Sequence, residues 1–354
     1  MSSKMDRDSI DMSRFIDSIN AMNEYADMIV EESPQYSDSA TMLHAKGDSS
    51  GVREEAPVSE NLEEPDPELE PEESLEELLA QLDSLIGLNG VKKEVKEIIN
   101  LIKVRKKGEE FGTDLPPLSL HLVFYGNPGT GKTTVARLLA KIYRSLGVLS
   151  KGQLVEVDRG GLVAGYIGQT ATKTQEKIDE AMGGILFIDE AYTLTHGKGD
   201  TDFGQEAVDT ILKAMEDHRD DFIVIVAGYP ELMEEFIGSN PGLKSRFNQF
   251  IEFEDYKPEE LYEIFCLRCS EQELVLADGC EDYLHAYFEN LYNNRSEDYA
   301  NGRDVRNYFE KVIRARANRL AEIIDSVSRE EYITIIPADL AEAAANSSDD
   351  MWAE

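Results

Sequence analysis

Eight consecutive residues constrain this chain more than any others. Gly126, Asn127, Pro128, Gly129, Thr130, Gly131, Lys132 and Thr133 spell G-x-x-x-x-G-K-[ST]. The motif follows an apolar run, His121–Tyr125, and opens a run of helical period, Val135–Tyr143. Strand, loop and helix in that order are the context a phosphate-binding loop needs. The glycines let the backbone curl until its N–H groups face phosphate oxygens, and the helix start adds a positive dipole end. Lys132 is placed to reach the β- and γ-phosphates of ATP, and Thr133 offers a hydroxyl to Mg²⁺. A glycine-rich turn with a chance lysine would lack the flanking strand and helix.

About 55 residues on, Gly184–Ile188 is an apolar run that ends in Asp189 and Glu190. A strand buried on both faces reads this way, and its carboxyl end opens on the ligand crevice of a parallel sheet. Asp189 is then a Mg²⁺ ligand, direct or through water, and Glu190 orients and polarises the attacking water. Alone, an apolar run before Asp-Glu is weak, because such pairs also cap helices. The phosphate loop upstream makes it informative.

Strand-like runs at 120–125, 154–157, 184–189, 222–227 and 249–253 alternate with helix-period segments near 92–105, 132–146, 171–182 and 204–218. Alternation predicts an α/β fold: a five-stranded, mainly parallel sheet flanked by helices. Ser74 and Glu77 form a capping-box pair ahead of Leu78, Leu79, Leu82 and Leu85. After Tyr256 the pattern turns helical, at 258–273, 280–292, 302–325 and 337–346, with a short strand predicted at Tyr332–Ile336. The expected domains are an acidic tail at 1–75, the α/β domain at 76–255 and a small, mostly helical domain at 256–354.

The tail carries five Lys and Arg against twenty Asp and Glu, and from Pro57 to Glu73 it alternates proline with acid. It holds too little apolar surface to offset its ordering entropy, so disorder is expected. Within it Met12, Phe15, Ile16, Ile19, Met22, Tyr25, Ala26 and Ile29 recur at helical spacing. That run suits either a helix docked on its own domain or a partner-binding tag. The whole chain of 354 residues has a formal net charge of −36, which argues against nucleic acid and anionic lipid as partners. No apolar stretch reaches the ~18–20 residues of a membrane helix. The polar N-terminus and three cysteines, Cys266, Cys269 and Cys280, fit a cytoplasmic protein.

With these features in place, the chain resembles the CbxX/CfqX-type AAA+ ATPases, which include the red-type rubisco activase and sporulation stage V protein K. The resemblance runs from about Leu82 to Leu340. It is carried by Leu85-Ile-Gly-Leu88, the phosphate loop through Thr134, Tyr166-Ile-Gly-Gln-Thr170, Ile188-Asp-Glu-Ala-Tyr192, Ala227-Gly-Tyr-Pro230, Asn240-Pro-Gly-Leu-Lys-Ser-Arg-Phe247 and Asn301-Gly-Arg-Asp-Val-Arg-Asn307. It implies an AAA+ P-loop domain followed by a helical lid, in a hexameric homo-oligomer with ATP between subunits. It also implies that Ile86 and Gly87 wrap the adenine, and that Arg246 is an arginine finger reaching a neighbour's γ-phosphate. Arg303, with Arg306 as fallback, would be the lid's γ-phosphate sensor. Tyr166, Ile167 and Gly168 would form a pore loop gripping a protein client, with His196–Phe203 as a second loop. A surface ion pair is the bland alternative for Arg246, and packing at the core edge for Tyr166. The Thr-Asn pair that often ends the fourth strand as first sensor is replaced by Ala227-Gly228-Tyr229-Pro230, so that sensor stays unassigned.

Other patterns carry less. Asp202-Phe203-Gly204 matches the kinase metal tripeptide without the rest of a kinase. Cys266-x-x-Cys269 lies in a helical run and is read as ordinary thiols rather than zinc ligands. His121 and His218 have no evident partner. The leading expectation is an ATP-driven motor acting on a protein client. The alternatives are a nucleic-acid loader, disfavoured by the acidity, and a non-hydrolysing switch or scaffold, disfavoured by intact Lys132, Asp189, Glu190 and Arg246.

Overall fold

The computed structural model describes residues 73–113, 118–166, 168–195, 203–296 and 299–349. The expected tail up to residue 72, with its periodic Met12–Ile29 run, lies outside the described residues, as do Ile167 and residues 196–202 of the second loop. Ser74 opens helix α1 (Leu75–Ser84). Its Oγ accepts from Glu77 N at 3.2 Å, and Glu77 Oε2 accepts from Ser74 N at 2.7 Å. This is the expected reciprocal pair, and it satisfies donors that a helix start leaves open. Helix α2 (Asn89–Glu110) buries Val91, Val95, Ile98, Ile99 and Ile102, a stripe at helical spacing.

Strands and helices then alternate. β1 (Leu122–Gly126) leads to α3 (Lys132–Ser145), and β2 (Leu154–Val157) to the short α4 (Arg159–Leu162) and α5 (Thr170–Ala181). β3 (Ile185–Ile188) leads to a 3₁₀ turn at Ala191–Leu194 and α6 (Gly204–Asp217). β4 (Ile223–Gly228) leads to α7 (Pro230–Ser239) and α8 (Pro241–Arg246), and β5 (Gln249–Phe253) closes the set. All five strands are parallel, in the order β2-β3-β4-β1-β5. The five expected strands are all present, β2 and β5 with the expected bounds.

Every residue of β3 and β4 is buried, hence their unbroken apolar runs. Strand alternation reappears in the face each side chain takes. Phe124, Phe187, Ile223 and Ile225 pack in one core with α2 and α3; Val123, Leu186, Ile188, Val224 and Val226 pack in the other with α5, α6 and α7. Each such side chain contributes ~1.5–3 kcal/mol of burial. The sheet is thereby a rigid plate, and the carboxyl ends of β1, β4 and β3 stand side by side along one edge.

After the hinge at 254–257 come α9 (Pro258–Glu271), β6 (Val275–Leu276), α10 (Cys280–Asn293), α11 (Gly302–Ala321), α12 (Arg329–Ile333), β7 (Thr334–Ile335) and α13 (Pro337–Asp349). Leu261, Phe265, Leu284, Phe288, Val305 and Phe309 form their core, and Tyr287 stacks on Tyr308 with ring centroids 4.0 Å apart. Two expectations need correction. The strand predicted at Tyr332–Ile336 shrinks to Thr334–Ile335, because Ser328 and Glu331 cap a helix that takes Tyr332 and Ile333. The helix predicted to reach residue 325 ends at Ala321.

Candidate active site

The loop from β1 to α3 is shaped by backbone that most side chains avoid: Gly129 has φ 70° and Gly131 φ 91°. A Cβ on Gly129 would overlap the Ala300 carbonyl oxygen and come within 2.8 Å of Arg303 N, so the lid rests directly on the loop. Lys132 begins α3 with its ammonium folded back, donating to Gly126 O at 2.9 Å and Asn127 O at 2.8 Å. Burial pushes Lys132 down to about 8; Asp189 opposes that shift and the Arg303 guanidinium adds to it. Among the described residues no carboxylate stands within ion-pair distance of either Lys132 or Arg303. A desolvated ammonium held by neutral oxygens, beside a guanidinium with no ion pair among the described residues, suits a polyanion such as a triphosphate.

Asp189 follows β3. Its N–H donates to Val157 O at 2.9 Å, and its Oδ1 accepts from Glu190 N at 3.0 Å. Asp189 also lines an open cleft of ≈ 450 Å³ with Glu156, Val157, Asp158, Gly161 and Lys177. Thr133 Oγ1 is 3.5 Å from Glu156 Oε1, one of the cleft's lining residues. The Thr133 hydroxyl and the Asp189 carboxylate are hard oxygen donors, the chemistry that Mg²⁺ takes. Glu190 holds a left-handed backbone, φ 48° and ψ 42°, of the strained kind that collects at functional sites. The Tyr192 hydroxyl is hydrogen-bonded to Glu190, and burial, with Glu190 beside it, pushes that phenol up to about 12.

Around the nucleotide cradle, Leu88 packs into both the sheet core and the lid core. Its Cδ1 would lie 3.5 Å from a Cβ on Gly131, and Tyr256 Oη is 3.4 Å from Thr130 O. Ile86 and Gly87 precede Leu88 on the short segment between α1 and α2. Gly87 has φ 62°, and a Cβ there would meet the Glu260 carboxyl at 2.8 Å. Tyr229 follows β4 between the ends of β1 and β3, its ring 6.2 Å from that of Tyr192.

Arg246 is not brought to this cluster. It ends α8, with Nη2 3.4 Å from Glu216 Oε2 and its carbonyl accepting from Ser119 Oγ at 2.8 Å. Ser119 precedes β1, whereas Lys132 follows it, and five strand residues span about 17 Å. The ion pair with Glu216 is the partner the bland reading expects. Next to it His121 is buried and pushed down to about 4, with Nδ1 accepting from Val224 N at 3.0 Å. A neutral imidazole adds no charge against Arg246. Arg306, the fallback sensor, points elsewhere, its Nε 3.1 Å from Glu310 Oε1.

Tyr166 is 75% exposed. Its loop is pinned at both ends: Thr170 Oγ1 accepts from Ala164 N at 3.1 Å, and Lys173 Nζ donates to Gly160 O at 2.6 Å. Gly168, at φ 79°, has open space around it. Sequence reasoning gave no role to Asn301, Asp255 or Tyr256, which contact the loop from the hinge and lid; only the motif Asn301-Gly-Arg pointed there.

Residues 122–255 match the model of the ATPase family associated with various cellular activities (AAA), and residues 257–350 match that of the AAA lid domain. Stage V sporulation protein K of Bacillus subtilis is 45% identical over 268 residues, covering 75% of this chain and 83% of that protein. Protein CbbX of Cereibacter sphaeroides is 45% identical over 245 residues, covering 69% and 79%. The chain belongs to the CbxX/CfqX-type AAA+ ATPases. As an AAA+ ATPase it is an ATP-hydrolysing enzyme with an AAA domain followed by a helical lid. The FIGL-1 AAA domain shares the fold, with a TM-score of 0.53 at 16% identity over 77% of this chain and 87% of that one. Among the described residues of this AAA+ ATPase, no helix is long and apolar enough to cross a membrane.

Proposed function

We propose that this AAA+ ATPase is a protein-remodelling motor that works in the cytoplasm as a homo-hexameric ring. The tail at 1–75, the ATPase domain at 76–255 and the lid at 256–354 are its working parts. ATP would lie on Gly126–Thr134, with Ile86 and Gly87 against the adenine. Lys132 would leave the loop carbonyls for the β- and γ-phosphates. Thr133 and Asp189 would hold Mg²⁺, which supplies charge neutralisation on the phosphates. Glu190 would orient a water and take its proton as the water oxygen bonds to the γ-phosphorus and the bond to the ADP oxygen breaks. Arg303 would meet the γ-phosphate within the subunit. Arg246, too far from its own loop, would reach the ATP of the next subunit, exchanging Glu216 for phosphate oxygens.

One observation carries the motor reading: a large aromatic, Tyr166, stands exposed on a loop flanked by Gly165 and Gly168. Tyrosine there offers a large amphipathic contact to a polypeptide without base-specific or phosphate-binding groups. A permanently unfolded polypeptide is expected to stimulate ATP turnover, and Tyr166→Ala to abolish that stimulation. Stimulation that survives Tyr166→Ala, or that comes from single-stranded DNA in place of polypeptide, would overturn the reading.

A further inference from the structure

The hinge between the AAA domain and the lid carries a buried polar cluster that the chemistry above does not use. Asn301 is at its centre, fully buried. Its backbone stands at φ 52° and ψ −122°, a region that residues with a Cβ rarely adopt. Such strain persists only where the surroundings over-determine it. Here Asn301 Oδ1 accepts from Tyr256 N at 2.9 Å, and Nδ2 donates to Asp255 Oδ1 at 2.9 Å and to Pro128 O at 3.2 Å. Asp255 Oδ1 also accepts from Asn127 Nδ2 at 2.8 Å, while Arg295 Nε stands 3.7 Å from Oδ2. Gly302 N donates to Gly129 O at 3.1 Å. Three successive residues of the phosphate loop, Asn127, Pro128 and Gly129, are thus held from the hinge and from the start of α11. Arg303 is the next residue on that helix.

We propose that Asn301, acting with Asp255, is a positioning residue that latches the start of α11 to the phosphate loop and so sets where Arg303 stands. A change of loop shape with nucleotide would then move the lid through this contact. The inference rests on the reading of Arg303 as the γ-phosphate sensor. If position 301 only had to tolerate its backbone conformation, glycine would serve better than asparagine. Asparagine instead places both amide donors and its acceptor on the loop and hinge, in a buried setting where unpaired groups are costly.

The test is a double-mutant cycle on the full-length chain, read by steady-state ATPase. Asn301→Gly accepts the backbone conformation, so the lid still folds, and it deletes all three side-chain hydrogen bonds. It is expected to lower kcat about tenfold, the size of a lost charge-assisted hydrogen bond. KM for ATP should move less than about threefold, since the phosphate loop's own donors remain. Asn301→Gly combined with Arg303→Ala should be no slower than Arg303→Ala alone, because both act through one group. Asn301→Asp should be slower still, as two carboxylates then face each other, and adding Asp255→Asn should restore part of the rate. A normal kcat in Asn301→Gly, or losses that multiply with Arg303→Ala, would overturn the latch. Normal turnover in Arg303→Ala would instead overturn the sensor reading, leaving the latch nothing to position.

Discussion

The surroundings of Lys132 and the loop of Tyr166 belong to the same α/β lobe and are built in opposite ways. At Lys132 nearly every polar group is held: the ammonium by two carbonyls, Asp189 by Glu190 N, the loop by Asn301 and Gly302. At Tyr166 the backbone is tied by Ala164 N to Thr170 Oγ1 and by Gln169 N to the Tyr166 carbonyl at 3.4 Å, but the ring itself projects into solvent. Preorganised dipoles and charges stabilise a transition state because they need no rearrangement when charge develops. A group with the role proposed for Tyr166, gripping a moving polypeptide, needs reach and freedom instead. The difference explains why one short motif identifies the first region from its chemistry alone, while the second is pointed to by the family resemblance and by its exposure.

Substitutions can break that contrast, most strongly at the held site. Glu190→Gln keeps the shape and removes the proposed base, so kcat is expected to fall by about 10²–10⁴ while ATP still binds. Turnover comparable to the unmodified protein would remove Glu190 from the chemistry. Charge on Lys132 gives a second test. Free Lys132 titrates at about 8, and bound phosphate favours its charged form, raising that value in the complex. ATP affinity measured by titration calorimetry should therefore hold below pH 8 and weaken above it, by up to about tenfold per pH unit. Lys132→Arg, which stays charged, should bind with a flat profile between pH 7 and 9; equal slopes for both proteins would contradict the assignment.

The smallest effect is expected at the free loop. Tyr166→Ala removes an exposed ring with no core contact to lose, so stability to urea should change by less than about 0.5 kcal/mol. A loss of several kcal/mol would make Tyr166 a packing residue and erase the contrast.

Much of the architecture was legible because its signals are local. Continuous apolar runs marked β1, β3 and β4, alternating apolar residues marked β2 and β5, and the Ser74–Glu77 box marked the first helix start. Where signals competed, reading failed for physical reasons. Pro230 and Pro241 look like turn residues but occupy the first position of α7 and α8, where a missing N–H costs nothing. Tyr332 and Ile333 have strand-like side chains, yet the Ser328 cap draws them into a helix. β6 is two residues long and exists only by pairing with β7. In the site, Lys132, Asp189 and Glu190 follow from motif and position. Asn301 and Asp255 do not, because their partners lie 173 and 128 residues away on the phosphate loop. The separation of Arg246 from Lys132 likewise depends on strand order, which no local pattern specifies.

That separation is the centre of the account, since under the proposed roles a complete active site would take two subunits. Arg246→Ala should bind ATP and hydrolyse it about 10³-fold more slowly, as loss of an arginine finger does. Lys132→Ala should fail to bind. The decisive measurement mixes the two inactive variants, verifies mixed rings by differential labelling, and records ATP turnover. Activity should reappear, because an intact phosphate loop from one subunit meets an intact Arg246 from its neighbour. Mixed rings as inactive as either variant alone would contradict a shared site.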